Sequence, residues 1–297
     1  MNKWYIVLIS YVILFGYMVV GLSYAENYVN SEMISDSNVS GYAVYNSYRV
    51  IIDVLDNGSL LITEEMDVHF NAYVGSFKFG YRILKINGYD DIINFEAYQL
   101  VDGSLKKLRT RFVKGFGKIG IKFYFNSQIE KGDAKFILKY VVVNAIWADG
   151  DKNYLRWIPF PEEHPVINDA SFIVRIPRSL DVNVWTDKNI PIKIEKEKNR
   201  TLVIGKAGYL DSYETVRLEV SFEKFIEPPF SLRKYLSAYP ILYIVIIIIF
   251  IYLLVISIST YRKRSKAEEI DVDRVLSDLD PIEFSYLTKL IFRLIPL

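Results

Sequence analysis

The 297 residues include no cysteine. That excludes disulfides, thiolate nucleophiles and cysteine-ligated zinc or iron–sulfur centres. Glycine (15) and proline (10) are sparse, and neither sign of charge dominates: Lys+Arg 36 stand against Asp+Glu 35, for a net charge of +1. No global field recruits nucleic acid or an acidic partner, so only local patches can do so. Aromatic residues are abundant, with 23 Tyr and 18 Phe. Such a composition suits a strand-rich folded domain and speaks against long disorder. A secreted domain without disulfides must stand on its core alone, and this chain is long enough to build one.

Two apolar segments frame the sequence. The first, "MNKWYIVLISYVILFGYMVVGLSYAEN", has one lysine, an apolar run from Trp4 to Leu22, and small residues at Ser23 and Ala25. It reads as a signal peptide or an amino-terminal anchor over residues 1–25. The second, "PILYIVIIIIFIYLLVISIS" from Pro240 to Ser259, carries no charge. At ~1.5 Å per residue its length matches the ~30 Å of a bilayer core, which predicts a transmembrane helix over 240–260. Arg262, Lys263, Arg264 and Lys266 follow it, against Arg233 and Lys234 before it. The heavier basic flank is expected in the cytoplasm, and residues 26–239 outside, whether or not the first segment is cleaved.

Between these segments the hydrophobic period is two. "YRVIIDVL", "DNGS" and "LLITEEMDVHF" predict two strands around an Asn-Gly turn, and "DIINFEAYQL", "VDGS" and "LKKLRTRFV" repeat the scheme with Asp102-Gly103. Further strand-like runs include "KIGIKFYF", "AKFILKYVVVNAIW", "ASFIVRIP", "VNVWT", "IPIKIEKE", "RTLVIG" and "YETVRLEVSFEKF". The expected fold class is all-β: an extracytoplasmic antiparallel β-sandwich over 42–226, followed by a single transmembrane helix and a short helical tail. Residues 26–41 read as a flexible lead-in and 227–239 as a juxtamembrane linker, where Tyr235 and Tyr239 suit a membrane interface. "WIPFPEEHPVINDA" is either a loop within one sandwich or a linker between two modules. In the tail, residues 261–297, Asp280-Pro281 can start an amphipathic helix bearing Phe284, Leu287, Leu290, Ile291 and Leu294 on one face.

The order of these segments resembles the membrane-protein family catalogued as domain of unknown function 2207. "DNGSLLITEEMDVHF" with "YRI" at 81–83 is similar to the family's start, and "FILKYVVVNAI" and "YLRWIPF" to its later strand and tryptophan-containing segment. A membrane helix and a proline-started tail follow in the expected order. The resemblance implies an architecture and no established activity.

Counting alternate residues from Leu60 puts Glu64 among Ile62, Met66, Val68 and Phe70, on the face that should be buried. Glu65 points the other way, so the two cannot act as a pair on one substrate. A buried carboxylate needs a cation. The same resemblance aligns Arg82 with it, which makes Glu64 and Arg82 a candidate structural contact. The difficulty is that Phe77, Phe79, Tyr81 and Ile83 alternate opposite to Arg82, so a bulge or burial on two faces is required.

Other chemistry is weaker. Glu65, Asp67 and His69 form an ordinary polar strand face, and His164 an incidental loop histidine. "DGDKN", at Asp149 to Asn153, starts like a calcium loop, but Tyr154 stands where glycine is required and Phe160 where glutamate is, so it reads as a turn. Trp147 and Trp157 flank it, as an aromatic patch or as hairpin packing. "KGFGKIGIK" lacks the ending of a phosphate loop. Asn38, Asn57 and Asn199 lie in glycosylation acceptor patterns. No catalytic, cofactor-binding or metal-binding residues are assigned.

The expected function is a membrane-anchored, non-enzymatic binding or assembly module. Its partners would be the membrane and another envelope or membrane protein, with no nucleic acid. The alternatives are an accessory subunit of a transport or secretion complex, and a cell-surface hydrolase.

Overall fold

The computed structural model describes residues 39–115, 117–160, 162–239, 245 and 248–262. The signal or anchor segment (1–25), residues 26–38 of the lead-in with Asn38, and the tail beyond residue 262 lie outside the described residues.

The chain is mostly β, in multiple sheets. Strands β1 (Ser40–Val54) and β2 (Leu60–Val74) form the first hairpin, followed by β3 (Phe77–Lys85), β4 (Asp91–Val101), β5 (Ser104–Lys107) and β6 (Arg109–Lys114). Next come β7 (Lys118–Ile129), β8 (Lys131–Val143), β9 (Trp147–Asp149), β10 (Lys152–Trp157) and β11 (Ile167–Ile176). The series ends with β12 (Val182–Thr186), β13 (Ile192–Glu197), β14 (Arg200–Leu210), β15 (Leu218–Glu223) and one short helix, α1 (Leu232–Ala238). An eight-stranded sheet has the order β13-β14-β11-β1-β2-β8-β4-β5. A four-stranded sheet runs β12-β15-β10-β9, and a three-stranded sheet β3-β7-β6.

The β1–β2 connection shows how the local sequence works. Gly58 donates its N–H to the Leu55 carbonyl at 3.0 Å, and the Leu55 N–H donates to the Ser59 carbonyl at 2.9 Å. Gly58 has φ 79°, which a Cβ would strain, so the Asn-Gly pair sets the reversal. Strand β2 then alternates without a break: Leu60, Ile62, Glu64, Met66, Val68 and Phe70 are all buried. Its five apolar members there contribute on the order of 10 kcal/mol of burial.

Three features depart from the sequence expectation. First, the sheet is not purely antiparallel: β1 pairs with β11 in parallel, with Tyr48 opposite Ala170 and Ile52 opposite Val174. More than a hundred residues separate the two strands in the chain, ample for the crossover that parallel pairing needs. The proline-containing segment 158–166 leads directly into β11, so it joins strands that share a core. Second, "LKKLRTRFV" is two strands in different sheets. Leu108, 5% exposed, turns inward between them, and its N–H bonds to the Ala97 carbonyl at 2.8 Å. Third, the linker 227–239 contains α1.

One large core joins the sheets. Phe136 of β8 meets Phe125 of β7 at 4.7 Å and Phe123 at 5.8 Å between ring centroids. Leu155, Leu218, Val220 and Phe222 of the four-stranded sheet belong to the same cluster.

Residues 39–238 lie in one compact unit, and 239–262 in another. In the second, residues 248–262 are helical, with Ile248, Ile249, Phe250, Ile251, Tyr252 and Leu253 all exposed. Residues 240–244, 246 and 247 of the predicted span lie outside the described residues. Among the described residues no helix is long and apolar enough to cross a membrane.

Candidate binding site: a buried ion-pair cluster beside an aromatic cavity

On β2, Glu64 sits opposite Val50 of β1 and Leu138 of β8. Its diagonal neighbours on the same face are therefore Tyr48, two residues from Val50, and Tyr140, two residues from Leu138. Both hydroxyls donate to the carboxylate: Tyr48 to Oε2 and Tyr140 to Oε1, each at 2.5 Å. From β3, Arg82 brings its Nε within 3.0 and 3.1 Å of the two carboxylate oxygens, and its Nη1 donates to the Ile83 carbonyl at 3.1 Å. The structure thus brings Glu64 and Arg82 together, at 0% and 5% exposure.

The obstacle posed by the β3 pattern resolves through its register. Pairing with β7 shifts between Phe77 and Phe79, and beyond that shift Gly80, Arg82 and Leu84 face the core. Gly80 leaves room there for Phe123, since a Cβ would come within 2.4 Å of its ring. Ile83 packs on the opposite face against Val113 of β6.

Electrostatics tightens the cluster. Burial pushes the hydroxyls of Tyr48 and Tyr140 well above the usual tyrosine range, and the neighbouring Glu64 carboxylate adds to the effect. Tyr45 is pushed up to about 12, mainly by burial. Burial opposes the Arg82 charge, but Glu64 more than offsets it and holds the guanidinium above its ordinary value. Every oxygen of the carboxylate accepts at least two hydrogen bonds from within the cluster, an arrangement suited to holding strands together.

Beside the cluster lies a cavity of about 650 Å³. Its walls come from the inner faces of two sheets: Met66, Val68, Phe70 and Phe136 from one, Phe123 and Phe125 from the other. Tyr45, whose ring lies 5.1 Å from that of Tyr48, borders both cavity and cluster, and the exposed Tyr81 lines the cavity. Along one side the lining is continuous from Gly75 to Tyr81. A strand presenting one face would contribute alternate residues, so this side is the β2–β3 turn at Gly75 and Ser76 and then the edge of β3, which has β7 as a neighbour on one flank only. Across from it stand Glu163 and Pro165. Gln128 accepts a hydrogen bond from Ser76 Oγ at 2.6 Å, and Lys78 and Glu163 are exposed.

The remaining sequence candidates are placed as follows. The polar face of β2 is answered by its neighbours: Glu65 by Arg49 at 3.6 Å, Asp67 by Lys135 at 3.2 Å, and His69 by Asp133 at 2.7 Å. His164 is buried rather than a loose loop residue; its Nδ1 faces the Pro165 carbonyl at 2.5 Å and its Nε2 the Glu214 carbonyl at 2.8 Å. Asp149 to Asp151 form the β9–β10 turn. Asn57 uses its side chain to accept the Ser59 N–H at 3.0 Å, and Asn199 lies exposed between β13 and β14. Trp157 packs on Tyr89 at 5.9 Å. Trp147 meets Tyr235 of α1 at 5.0 Å and Lys234 at 4.5 Å. Among the described residues no three metal-ligating side chains converge.

Sequence reasoning missed the cavity, both tyrosine donors and Lys234. Tyr48 and Tyr140 share the buried period-two faces of their strands, so alternation hinted at their burial. Nothing local hinted at their common partner.

A mostly β module of several sheets with an aromatic-walled cavity and a buried inter-sheet ion pair is the class that fold and site define. The chain belongs to the family described as predicted membrane protein (DUF2207) N-terminal domain, which matches residues 45–222. No curated protein matches the sequence. Among solved structures, a putative protease from Parabacteroides distasonis is similar at TM-score 0.43 and 10% identity, over 60% of this chain and 40% of that one. An M1 zinc metallopeptidase from Deinococcus radiodurans is similar at TM-score 0.38 and 10% identity, over 60% and 42%. The chain thus spans well under half the length of either, and at these scores the likeness carries no argument about activity.

Proposed function

We propose that this protein is a membrane-anchored, extracytoplasmic β-sandwich module that binds an envelope component through the aromatic cavity and is not an enzyme. The observation that carries this reading is the cavity itself. It offers rings and aliphatic walls with one carboxylate, Glu163, among its described lining residues, a composition that favours holding a ligand over hydrolysing one. Membership of a predicted membrane protein family, the uncharged run 240–259 and its basic flank support the anchor and its orientation. Glu64 and Arg82 are read as the tie that keeps the two cavity walls in register.

The test is to place p-benzoylphenylalanine at position 81, on the cavity mouth, in the full chain in native membranes. Irradiation should yield a defined adduct. A correctly folded protein that gives none would overturn the binding role.

A further inference from the structure

Resting on the reading of the cavity as the binding site, we infer that its ligand is a single acyl chain, held as a monoacyl lipid. Size is the first reason. A water's share of liquid is about 30 Å³, and a methylene is of similar bulk, so the cavity of about 650 Å³ takes one chain of about a dozen to twenty carbons. Two such chains with a glycerol headgroup would need roughly twice that volume.

Wall chemistry is the second. Where the two sheets face each other the cavity presents Met66, Val68, Phe70, Phe123, Phe125 and Phe136. A sugar or a peptide backbone needs directional partners at depth. Here Ser76 and Gln128 are bonded to each other, the charged Lys78 and Glu163 are exposed at the rim, and the other polar groups of the lining are the Tyr45 and Tyr81 hydroxyls and the backbone along the β3 side. An apolar chain needs only area, and rings with a thioether supply it.

Shape is the third. The cavity is lined along one side by the continuous stretch Gly75–Tyr81, which ends in the edge strand β3, and such an elongated wall suits an extended chain lying between the sheets. Lys78 and Glu163 at the rim leave a polar headgroup in water.

The experiment uses palmitate carrying a mid-chain diazirine and a terminal alkyne, added to native membranes containing the full chain. After irradiation, label should map to peptides of β1–β3, β7 and β8, and excess palmitate should compete it away. Ala43 also lines the cavity, and Ala43→Phe and Val68→Phe each add bulk to the wall. They should cut that label about tenfold or more, as misfits in apolar pockets do, while the thermal midpoint is retained. Label confined to residues 240–262, or label in the β-domain indifferent to palmitate, overturns the acyl-chain assignment. A protein adduct from the position-81 probe in that case leaves the binding module standing with a polypeptide ligand. Absence of both label and adduct removes both readings. Should one bulky variant fail to fold, the other and the palmitate competition still decide.

Discussion

At the residue scale, Glu64 meets three donors from three different strands. A carboxylate in an apolar core is costly, and here Arg82, Tyr48 and Tyr140 supply the charge and hydrogen bonds that offset it. Removing one partner strands the other. Arg82→Met should therefore lower unfolding stability by about 3–5 kcal/mol, and adding Glu64→Leu should recover much of the loss. Urea midpoints of the three proteins check this; equal midpoints for single variant and parent would sink the role assigned to the pair. The tyrosines add a pH signature. Their folded-state values lie above the unfolded value of about 10, so their contribution is complete below pH 10 and lost as pH rises beyond it. Thermal midpoints should fall from pH 10 upward, and less steeply in Tyr140→Phe.

At the element scale, α1 is held by specific contacts. Lys234 is 2% exposed, donates to the Ile146 carbonyl at 2.5 Å and to Asn144 Oδ1 at 3.3 Å, and lies over the Trp147 ring. Ser231 donates to Asp90, and Asn144 donates to Asp90 and to the Pro229 carbonyl, both at 3.0 Å. Ser237 accepts the Gly88 N–H at 3.0 Å. The segment before the apolar run is thus seated on the β-domain rather than a loose tether. Tyr235, expected at a membrane interface, packs on Trp147 and stacks with Phe230 at 5.5 Å. Lys234→Ala should release α1, seen as faster protease cleavage between residues 224 and 238 with little change in the β-core. Burial also pulls Lys234 down to about 8. The unfolded chain keeps that proton to about pH 10.4, so stability on its account rises from pH 8 to 10, and Lys234→Met should flatten that rise.

At the scale of the whole molecule, the proposed arrangement puts the β-domain outside the membrane and the basic flank inside. Protease added to intact cells should degrade the region between residues 39 and 239. Its protection until lysis would overturn the orientation.

Local chemistry was enough to read most strands and turns, because period two and turn residues act over a few positions. The buried place of Glu64 followed from alternation along β2, and the strand breaks around Asn57-Gly58 and Asp102-Gly103 from backbone preference. Tertiary structure decided the rest. Tyr140 stands 76 residues from Glu64, and Arg82 reaches it across two sheets. The parallel β1–β11 pair, the change of sheet at Leu108 and the cavity between Met66 and Phe125 depend on strands distant in sequence. No window of neighbouring residues encodes such meetings, since each is set by which faces the whole chain must bury at once.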